Sequence, residues 1–186
     1  MYSRSLQTLT FLMTLKRKTN KPMIILGIDP GIAQTGWGVV RTNGQQSRPV
    51  AFGVIKTATT LTESQRIHRI ATMVGGLVAE HKVDACGMED IFFTKNISSA
   101  IPVAKVIGAC IHQLASLGIE VHLYSPVTIK TAVTGYGAAQ KKQIQEMVRL
   151  ILGFETIPKP DHAADALATA LCHGVHAATN TRIHRV

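Results

Sequence analysis

One stretch decides the fold: residues 23–31 have the sequence MIILGIDPG, an apolar run that ends in a carboxylate and then breaks at Pro-Gly. A short apolar run bounded by turn residues predicts a strand that is buried on both faces. Pro30 fixes φ and Gly31 permits positive φ, so we expect the chain to turn directly after Asp29. A carboxylate at the end of a buried strand can hold a metal ion or polarise a substrate. The alternative is a turn aspartate that bonds its own backbone.

The remaining elements follow this strand in an order that indicates the fold class. Residues 36–42 and about 49–55 predict two more strands, which would make an antiparallel start to the sheet. The capping-box sequence TESQ at residues 62–65 predicts the start of a helix that continues to about residue 82. Beyond it, we expect strands at 83–89 and 119–124 and helices at 98–117, 126–133, 139–152 and 161–178. This order predicts an α/β fold whose mixed sheet has three antiparallel strands first and parallel strands after them, with helices on both faces.

Composition favours a folded cytoplasmic protein. The 186 residues are 46% hydrophobic, which is enough for one domain with a full core. No apolar run approaches the ~18 residues that span a bilayer, so no membrane segment is expected. The three cysteines are odd in number and form no CxxC pair, which favours reduced thiols over a disulfide framework or a zinc site.

The net charge of +9 points toward a polyanionic partner but is unevenly distributed. Residues 1–22 contain five basic residues and no acid, so the rest of the chain is only mildly basic, with 15 basic and 11 acidic residues. We interpret 1–22 as a disordered or dispensable basic leader, with an organelle transit peptide as the alternative, residues 23–178 as a single domain, and residues 179–186 as a polar tail.

Acidic side chains stand at three element ends. Asp29 and Glu89 each end a buried strand, and Asp161, His162 and Asp165 open the last helix, where the last two share a face. Clustered carboxylates repel one another unless a cation lies among them. Mg²⁺ and Mn²⁺ suit such sites, and two ions could clamp both the attacking and the leaving oxygens of a phosphodiester.

Each acid also has a simpler interpretation. Glu89 could be a strand-end acid that pairs with a lysine. Asp161 and Asp165 could be acids that the helix dipole favours near an N-terminus. His173 and His176 follow Cys172 late in the same helix, and we expect both histidines to be surface residues rather than metal ligands.

Four motifs together resemble one known family. They are ILGIDPGIAQTGWGVV (25–40), MEDIFFTKN (88–96), SPVTIKTAVTGYGAAQKKQIQEMVRLIL (125–152) and PDHAADALATAL (160–171). In this order and spacing they resemble the RuvC family of bacterial Holliday junction resolvases. The resemblance implies a ribonuclease H-like fold, a homodimer that cuts four-way DNA junctions with Mg²⁺, cooperation with the RuvA–RuvB branch-migration complex, and a bacterial cytoplasmic location. It also implies that Asp29, Glu89 and Asp165 are catalytic metal ligands.

The fourth ligand position of the family falls on His162 in this register, not on Asp161. Many family members carry aspartate there, and histidine also occurs. An imidazole could ligate a metal or act as a general acid or base. Asp161 could contact the ligands without binding the metal itself, or it could merely favour the helix start.

DNA contacts are expected on two segments. Lysines near the loop at 135–137 and near helix starts can bind phosphates, although solvated surface lysines are the simpler interpretation. By resemblance, Lys130 and Lys141 match family lysines at the site, and Phe92 matches the aromatic residue that faces DNA, while one phenylalanine of the Phe92–Phe93 pair is expected in the core. The predicted DNA-binding residues are Phe92, Lys95, Asn96, Lys130, Lys141 and Lys142.

We therefore predict a structure-selective endodeoxyribonuclease that resolves four-way junctions by paired nicks in recombination and repair. A sugar-kinase or actin-like ATPase also opens with an Asp-then-Gly strand end, but it needs a second glycine-rich phosphate loop and a longer chain. The remaining alternative is a junction-binding scaffold of the same fold without catalytic activity. Such a scaffold would keep Lys130 and Lys141 and lose its carboxylates.

Overall fold

The computed structural model of this chain describes residues 22–91 and 97–183. Its strands are Met23–Asp29 (β1), Gln34–Thr42 (β2), Ser47–Lys56 (β3), Ala85–Glu89 (β4) and Val121–Tyr124 (β5). Its helices are Glu63–His81 (α1), Ile97–Ser116 (α2), Pro126–Thr134 (α3), Lys141–Leu152 (α4) and Asp161–Ile183 (α5). The element order is as predicted, and α5 extends beyond the predicted end at residue 178. The predictions for residues 1–21 and for Phe92, Lys95 and Asn96 lie outside the described residues and stay predictions.

The five strands form one mixed sheet in the order β3-β2-β1-β4-β5. β1 pairs antiparallel with β2 and β2 with β3, whereas β4 is parallel to both β1 and β5. The predicted sheet is therefore confirmed. Because β1 and β4 are parallel neighbours, with Ile28 paired to Met88, their last residues Asp29 and Glu89 leave the sheet at the same edge.

Helices cover both faces of the sheet, as predicted, and each face has its own core. Side chains alternate between the faces along β1. Leu26 and Ile28 are buried with α1 and α2, whereas Ile25 is buried with α3, α4 and α5. The same alternation places Asp29 on the face that α5 covers. Among the described residues, none of the helices is both long and apolar enough to span a bilayer.

Local sequence signals fix the ends of the helices that border this edge. The capping box at Thr62 and Gln65 forms as predicted at the start of α1. Ser125 caps α3, with Pro126 in its first turn, and Gly135 ends that helix in the left-handed conformation at φ 76°. α4 then begins only at Lys141. The loop between α3 and α4 is therefore held at both ends and lies near the start of α5.

Strand glycines allow α5 to lie directly against the sheet. A Cβ atom at Gly27 would be 2.0 Å from the carbonyl oxygen of Ala166, and one at Gly36 would be 1.9 Å from that of His162. The side of α5 that meets them is built from buried alanines: Ala163, Ala166 and Ala170. This close contact fixes the first turn of α5 relative to the ends of β1 and β2.

One expectation from the sequence was wrong. His173 is only 4% exposed, and its Nδ1 lies 2.9 Å from the hydroxyl of Tyr124. Burial, together with the nearby His122 and His176, lowers the pKa of His173 to about 4, so the ring is a neutral core group at physiological pH. His176 is exposed, as predicted. The free thiols of Cys86, Cys110 and Cys172 are all buried, also as predicted.

Candidate active site

Three of the four predicted ligands meet where β1 ends. The Nδ1 atom of His162 lies 2.7 Å from Oδ2 of Asp29. When Asp29 is ionised its carboxylate can only accept, and Nδ1 of His162 is then the donor. One ligand atom each from Asp29, His162 and Asp165 lies within 4.8 Å of the other two. Residues that are 133 positions apart in the chain thus form a compact group of hard oxygens and one imidazole nitrogen.

Glu89 stands beside this group at the end of β4, and its electrostatics show how acidic the site is. Burial, and after it the negative charges of Asp29 and Asp165, raise the pKa of Glu89 from 4.5 to about 7. Burial also raises the pKa of Asp29, against the effect of the hydrogen bond from His162. Carboxylates that resist ionisation in this way are stabilised when a cation binds among them. The donor set therefore fits a hard divalent cation such as Mg²⁺ or Mn²⁺.

Lys141 lies against the acids from the start of α4. Its Nζ atom is 3.1 Å from Oδ2 of Asp165 and 3.4 Å from Oδ2 of Asp161. Although partial burial disfavours its charged form, these two carboxylates raise the pKa of Lys141. Lys141 is therefore a fixed cation at the rim of the site, and one of its partners is a predicted metal ligand.

Asp161 differs from the ligand group because it pairs with lysines. Its Oδ1 lies 2.7 Å from Nζ of Lys159, and this hydrogen bond lowers the pKa of Asp161. Its Oδ2 faces Lys141. The structure thus places His162 with Asp29, whereas Asp161 pairs with Lys159 and Lys141. Lys159 was not among the residues that we expected, although a lysine two positions before a helix-opening acid is a signal that could have indicated the pair.

The other two predicted lysines occupy different places. The positive charge of Lys130 on α3 lowers the pKa of Glu89 against the effect of burial, so Lys130 faces the same rim. Lys142 is exposed and borders a separate cavity beside the loop between α3 and α4. The structure thus brings Lys130 and Lys141 to the acids and points Lys142 away from them.

A mixed sheet in this order, with acids at the ends of neighbouring parallel strands and on the helix that covers them, is the arrangement of the ribonuclease H-like fold. The family model for the crossover junction endodeoxyribonuclease RuvC matches residues 25–173. The chain belongs to the RuvC family.

Individual relatives agree with this membership. The chain is 42% identical to the RuvC of Chloroflexus aurantiacus over 160 residues. This alignment covers 86% of this chain and 98% of the relative. It is 44% identical to the RuvC of Syntrophomonas wolfei over 151 residues, or 81% of this chain and 88% of the relative. A structure of Thermus thermophilus RuvC matches with a TM-score of 0.80 at 35% identity, covering 86% of this chain and 98% of that one. The same protein in complex with a Holliday junction substrate matches with a TM-score of 0.81 at 36% identity, covering 86% and 97%.

The close approach of α5 to the sheet gives a first prediction. We expect Gly36→Ala to lower the free energy of unfolding by about 3 kcal/mol, because the new methyl group would overlap the carbonyl oxygen of His162 and move the start of α5. Urea denaturation measures this loss. Gly76→Ala is the matched control, since a Cβ there meets nothing within 4 Å and alanine favours the helix. Equal stability of the two variants would contradict the close contact.

A second prediction follows from the raised pKa of Glu89. The folded-state pKa of about 7 exceeds the ordinary 4.5, so ionising Glu89 destabilises the metal-free protein fully above pH 7 and not at all below pH 4.5. We therefore expect Glu89→Gln to raise the stability of the metal-free protein by roughly 1–2 kcal/mol at pH 8, after allowance for solvent screening, and to change little at pH 5. Thermal unfolding in EDTA measures both differences.

Added Mg²⁺ provides the control for this prediction. Metal binding should stabilise the parent protein at pH 8 more than Glu89→Gln, which lacks one anionic ligand. A stability difference that is the same at pH 5 and pH 8 would show that packing, rather than charge, separates the two proteins.

Proposed function

We propose that this protein resolves four-way DNA junctions by hydrolysing one phosphodiester in each of two opposed strands, in recombination and DNA repair. The observation that carries the proposal is the meeting of Asp29, His162 and Asp165 at one sheet edge, with Glu89 beside them, in a chain of the RuvC family. The Thermus thermophilus relative in complex with a Holliday junction substrate supports the choice of DNA.

We assign about two Mg²⁺ ions, with Mn²⁺ as the alternative, to the ligand set Asp29, Glu89, His162 and Asp165. Such ions lower the pKa of an attacking water and stabilise the leaving 3′ oxygen. We give His162 the role of a ligand, because one of its ring nitrogens lies within the same 4.8 Å group as the oxygens of Asp29 and Asp165. In the metal-free site its hydrogen bond to Asp29 orients the ring, and the nitrogen that ligates would carry no proton. The cleaved strands would carry 5′-phosphate and 3′-hydroxyl ends.

The lysines position the DNA backbone. Lys141 pairs with Asp165 and Asp161 at similar distances, 3.1 and 3.4 Å. Once a cation neutralises Asp165, Asp161 remains as the acid that holds Lys141 at the rim, where its ammonium group can donate to the cleaved phosphate. Lys130 faces the rim from the side of Glu89 and can bind a neighbouring phosphate.

A homodimer would place two such sites against two opposed strands. The outer side of α2 supports this assembly: Ile101 is 49% exposed, and a Cβ at Gly108 would meet nothing within 4 Å. A helix side with exposed apolar and small residues lets a second helix approach closely. By family membership we also propose the RuvA–RuvB complex as a partner and the bacterial cytoplasm as the location.

Junction binding should be strongly salt-dependent if the lysines contact phosphates. We expect the logarithm of the association constant to fall linearly with the logarithm of the salt concentration. Lys130→Ala should reduce the slope by about one and weaken binding to all junction sequences alike. Fluorescence anisotropy in EDTA measures the slope. The control is Lys82→Ala. Lys82 ends α1 with a left-handed backbone conformation, and α1 covers the opposite face of the sheet. A flat salt response would contradict the phosphate contacts.

The direct test is incubation of the purified protein with a synthetic mobile four-way junction, with and without Mg²⁺. We expect paired nicks in opposed strands only with Mg²⁺, and no cleavage of a linear duplex of the same sequence. Tight binding without nicks in either Mg²⁺ or Mn²⁺ would overturn the proposal in favour of an inactive scaffold. The retained acids disfavour that alternative, since binding alone has no need of Asp29, Glu89 and Asp165 together.

A further inference from the structure

A cavity of about 580 Å³ lies between the loop that joins α3 to α4 and α4 itself. We call it the Tyr136 cavity. Its walls are mainly apolar, and its size is within the roughly 300–1,000 Å³ of pockets that bind small molecules. Its principal lining residues are Tyr136, Ala139, Lys142, Gln143, Met147 and Ile157.

Tyr136 is an exposed aromatic ring on a rigid backbone. The residue is 65% exposed, yet its backbone N–H donates to the hydroxyl of Thr134 at 3.2 Å, and that hydroxyl donates to its carbonyl oxygen at 3.0 Å. Its carbonyl oxygen also accepts from the N–H of Ala139 at 3.1 Å. Because hydrogen bonds fix the backbone of this loop, the exposed ring offers a flat face for stacking without the entropic cost of ordering the loop.

The polar groups of the cavity are positioned rather than free to move. The side-chain oxygen of Gln143 accepts from the backbone N–H of Gln140 at 2.8 Å, which fixes the amide and leaves its NH₂ group available as a donor. The carboxylate of Glu146, also in the lining, is held by Arg149, whose Nε lies 3.0 Å from each of its oxygens. Arg149 therefore compensates the negative charge of Glu146, while the ammonium group of Lys142 borders the cavity.

The cavity is linked to the acid cluster through the first turn of α4. Lys141 and Lys142 are consecutive in the first turn of α4, and consecutive side chains on a helix point about 100° apart. Lys141 reaches Asp165 at 3.1 Å, and Lys142 borders the cavity. A strand whose phosphate lies at Lys141 therefore has a neighbouring nucleotide within reach of Lys142 and Tyr136.

From this arrangement we propose that the Tyr136 cavity receives one unstacked nucleobase of the DNA strand that passes Lys141. The inference rests on the proposed junction-cutting function and adds a base-binding site to it. The base would stack on Tyr136 and pack against Met147 and Ile157, its edge would accept from Gln143, and the attached phosphate would lie near Lys142. Strands at a branch point are the natural source, because bases there are least firmly stacked and cost least to extrude.

Charge favours a nucleotide over an apolar peptide as the occupant. A peptide-binding groove needs no cation beside its mouth, whereas a base always brings a phosphate with it. Lys142 lines the cavity, Lys141 precedes it on α4, and the acid of the lining, Glu146, is already paired with Arg149. An apolar side with cations at one end is the pattern of sites that stack bases and follow the DNA backbone.

The proposal is tested by combining a protein variant with DNA that lacks single bases, which measures the coupling between Tyr136 and the bound base. The affinity of the parent protein and of Tyr136→Ala is measured in EDTA on a set of four-way junctions, each with an abasic site at a different nucleotide near the branch point. On the intact junction we expect Tyr136→Ala to weaken binding by about five- to a hundredfold, the range for loss of one base–aromatic stack. On the junction that lacks the bound base, the two proteins should bind equally. Tyr136→Phe keeps the ring and should bind all junctions like the parent.

The outcomes separate this inference from the proposed function. If Tyr136→Ala binds every junction like the parent, or loses the same factor on all of them, no base enters the cavity and the inference is overturned. A parent protein that binds a four-way junction no better than a linear duplex would instead overturn the proposed function. Thermal unfolding of Tyr136→Ala should match the parent, because the ring is largely exposed.

Discussion

Asp29→Asn is expected to lower the rate of Mg²⁺-dependent junction cleavage by about a thousandfold or more, and to leave junction affinity within about threefold. The variant keeps an oxygen that can accept from His162, so the geometry at the end of β1 should persist. It removes the negative charge that binds the cation, and a site without that charge cannot activate a water or stabilise a leaving oxygen. Single-turnover cleavage of a labelled junction measures the rate, and fluorescence anisotropy in EDTA measures the affinity.

Asp90→Asn is the matched control for this experiment. Asp90 directly follows Glu89, and its exposed side chain accepts from the N–H of Ile91 at 2.8 Å, an interaction that asparagine can keep. It lies outside the group formed by Asp29, His162 and Asp165. Its loss of one negative charge should leave the cleavage rate within a few-fold. Retained cleavage by Asp29→Asn would reject the metal centre.

The sequence could predict that the acids meet, because this depends on local patterns. A buried apolar strand that ends in an acid appears twice, at Asp29 and at Glu89, and parallel pairing brings such ends to one edge. The residues that cap the starts of α1, α3 and α4 and the glycines that end α3 and α4 also act locally. Local patterns therefore predict the sheet, the helix order and the meeting of the acids, whereas the choice of His162 over Asp161 as a ligand rests on the register of the family motif.

The partners of these side chains could not be predicted, because they depend on how distant elements pack. Lys141 was expected at a phosphate, and only the approach of α4 to α5 reveals that it pairs with Asp165 and Asp161. The sequence places Gly36 at the start of a predicted strand but does not show that the carbonyl of His162 lies against it. His173 was misassigned for the same reason: helical spacing cannot tell an exposed imidazole from one that meets Tyr124 of a neighbouring strand.

The pKa of Glu89 depends on this packing as well. The sequence shows an acid at a strand end, but burial and the two facing carboxylates, which raise its pKa to about 7, arise only in the assembled site. The same arrangement that destabilises the metal-free protein creates the affinity for a cation. The metal-free protein is therefore less stable because its site is built to bind the cation that the proposed function requires.

The roles of His162 and Asp161 can be separated by a second pair of variants. We expect His162→Ala to slow cleavage by about a hundredfold or more, because it removes a ligand and the donor that orients Asp29. Asp161→Ala should slow cleavage by no more than about tenfold, because Asp161 pairs with lysines and its loss leaves the cation all of its ligands. Single-turnover rates in saturating Mg²⁺ measure both effects.

Metal preference shows whether His162 acts as a ligand. Imidazole suits Mn²⁺ better than Mg²⁺, whereas carboxylate suits both. His162→Asp should therefore recover much of the activity that His162→Ala loses, and it should lower the ratio of the Mn²⁺-supported rate to the Mg²⁺-supported rate. Asp161→Ala should leave this ratio unchanged, because Asp161 contacts lysines and lies outside the ligand group. If the ratio moved with Asp161 and stayed constant with His162, the two residues would have to exchange roles.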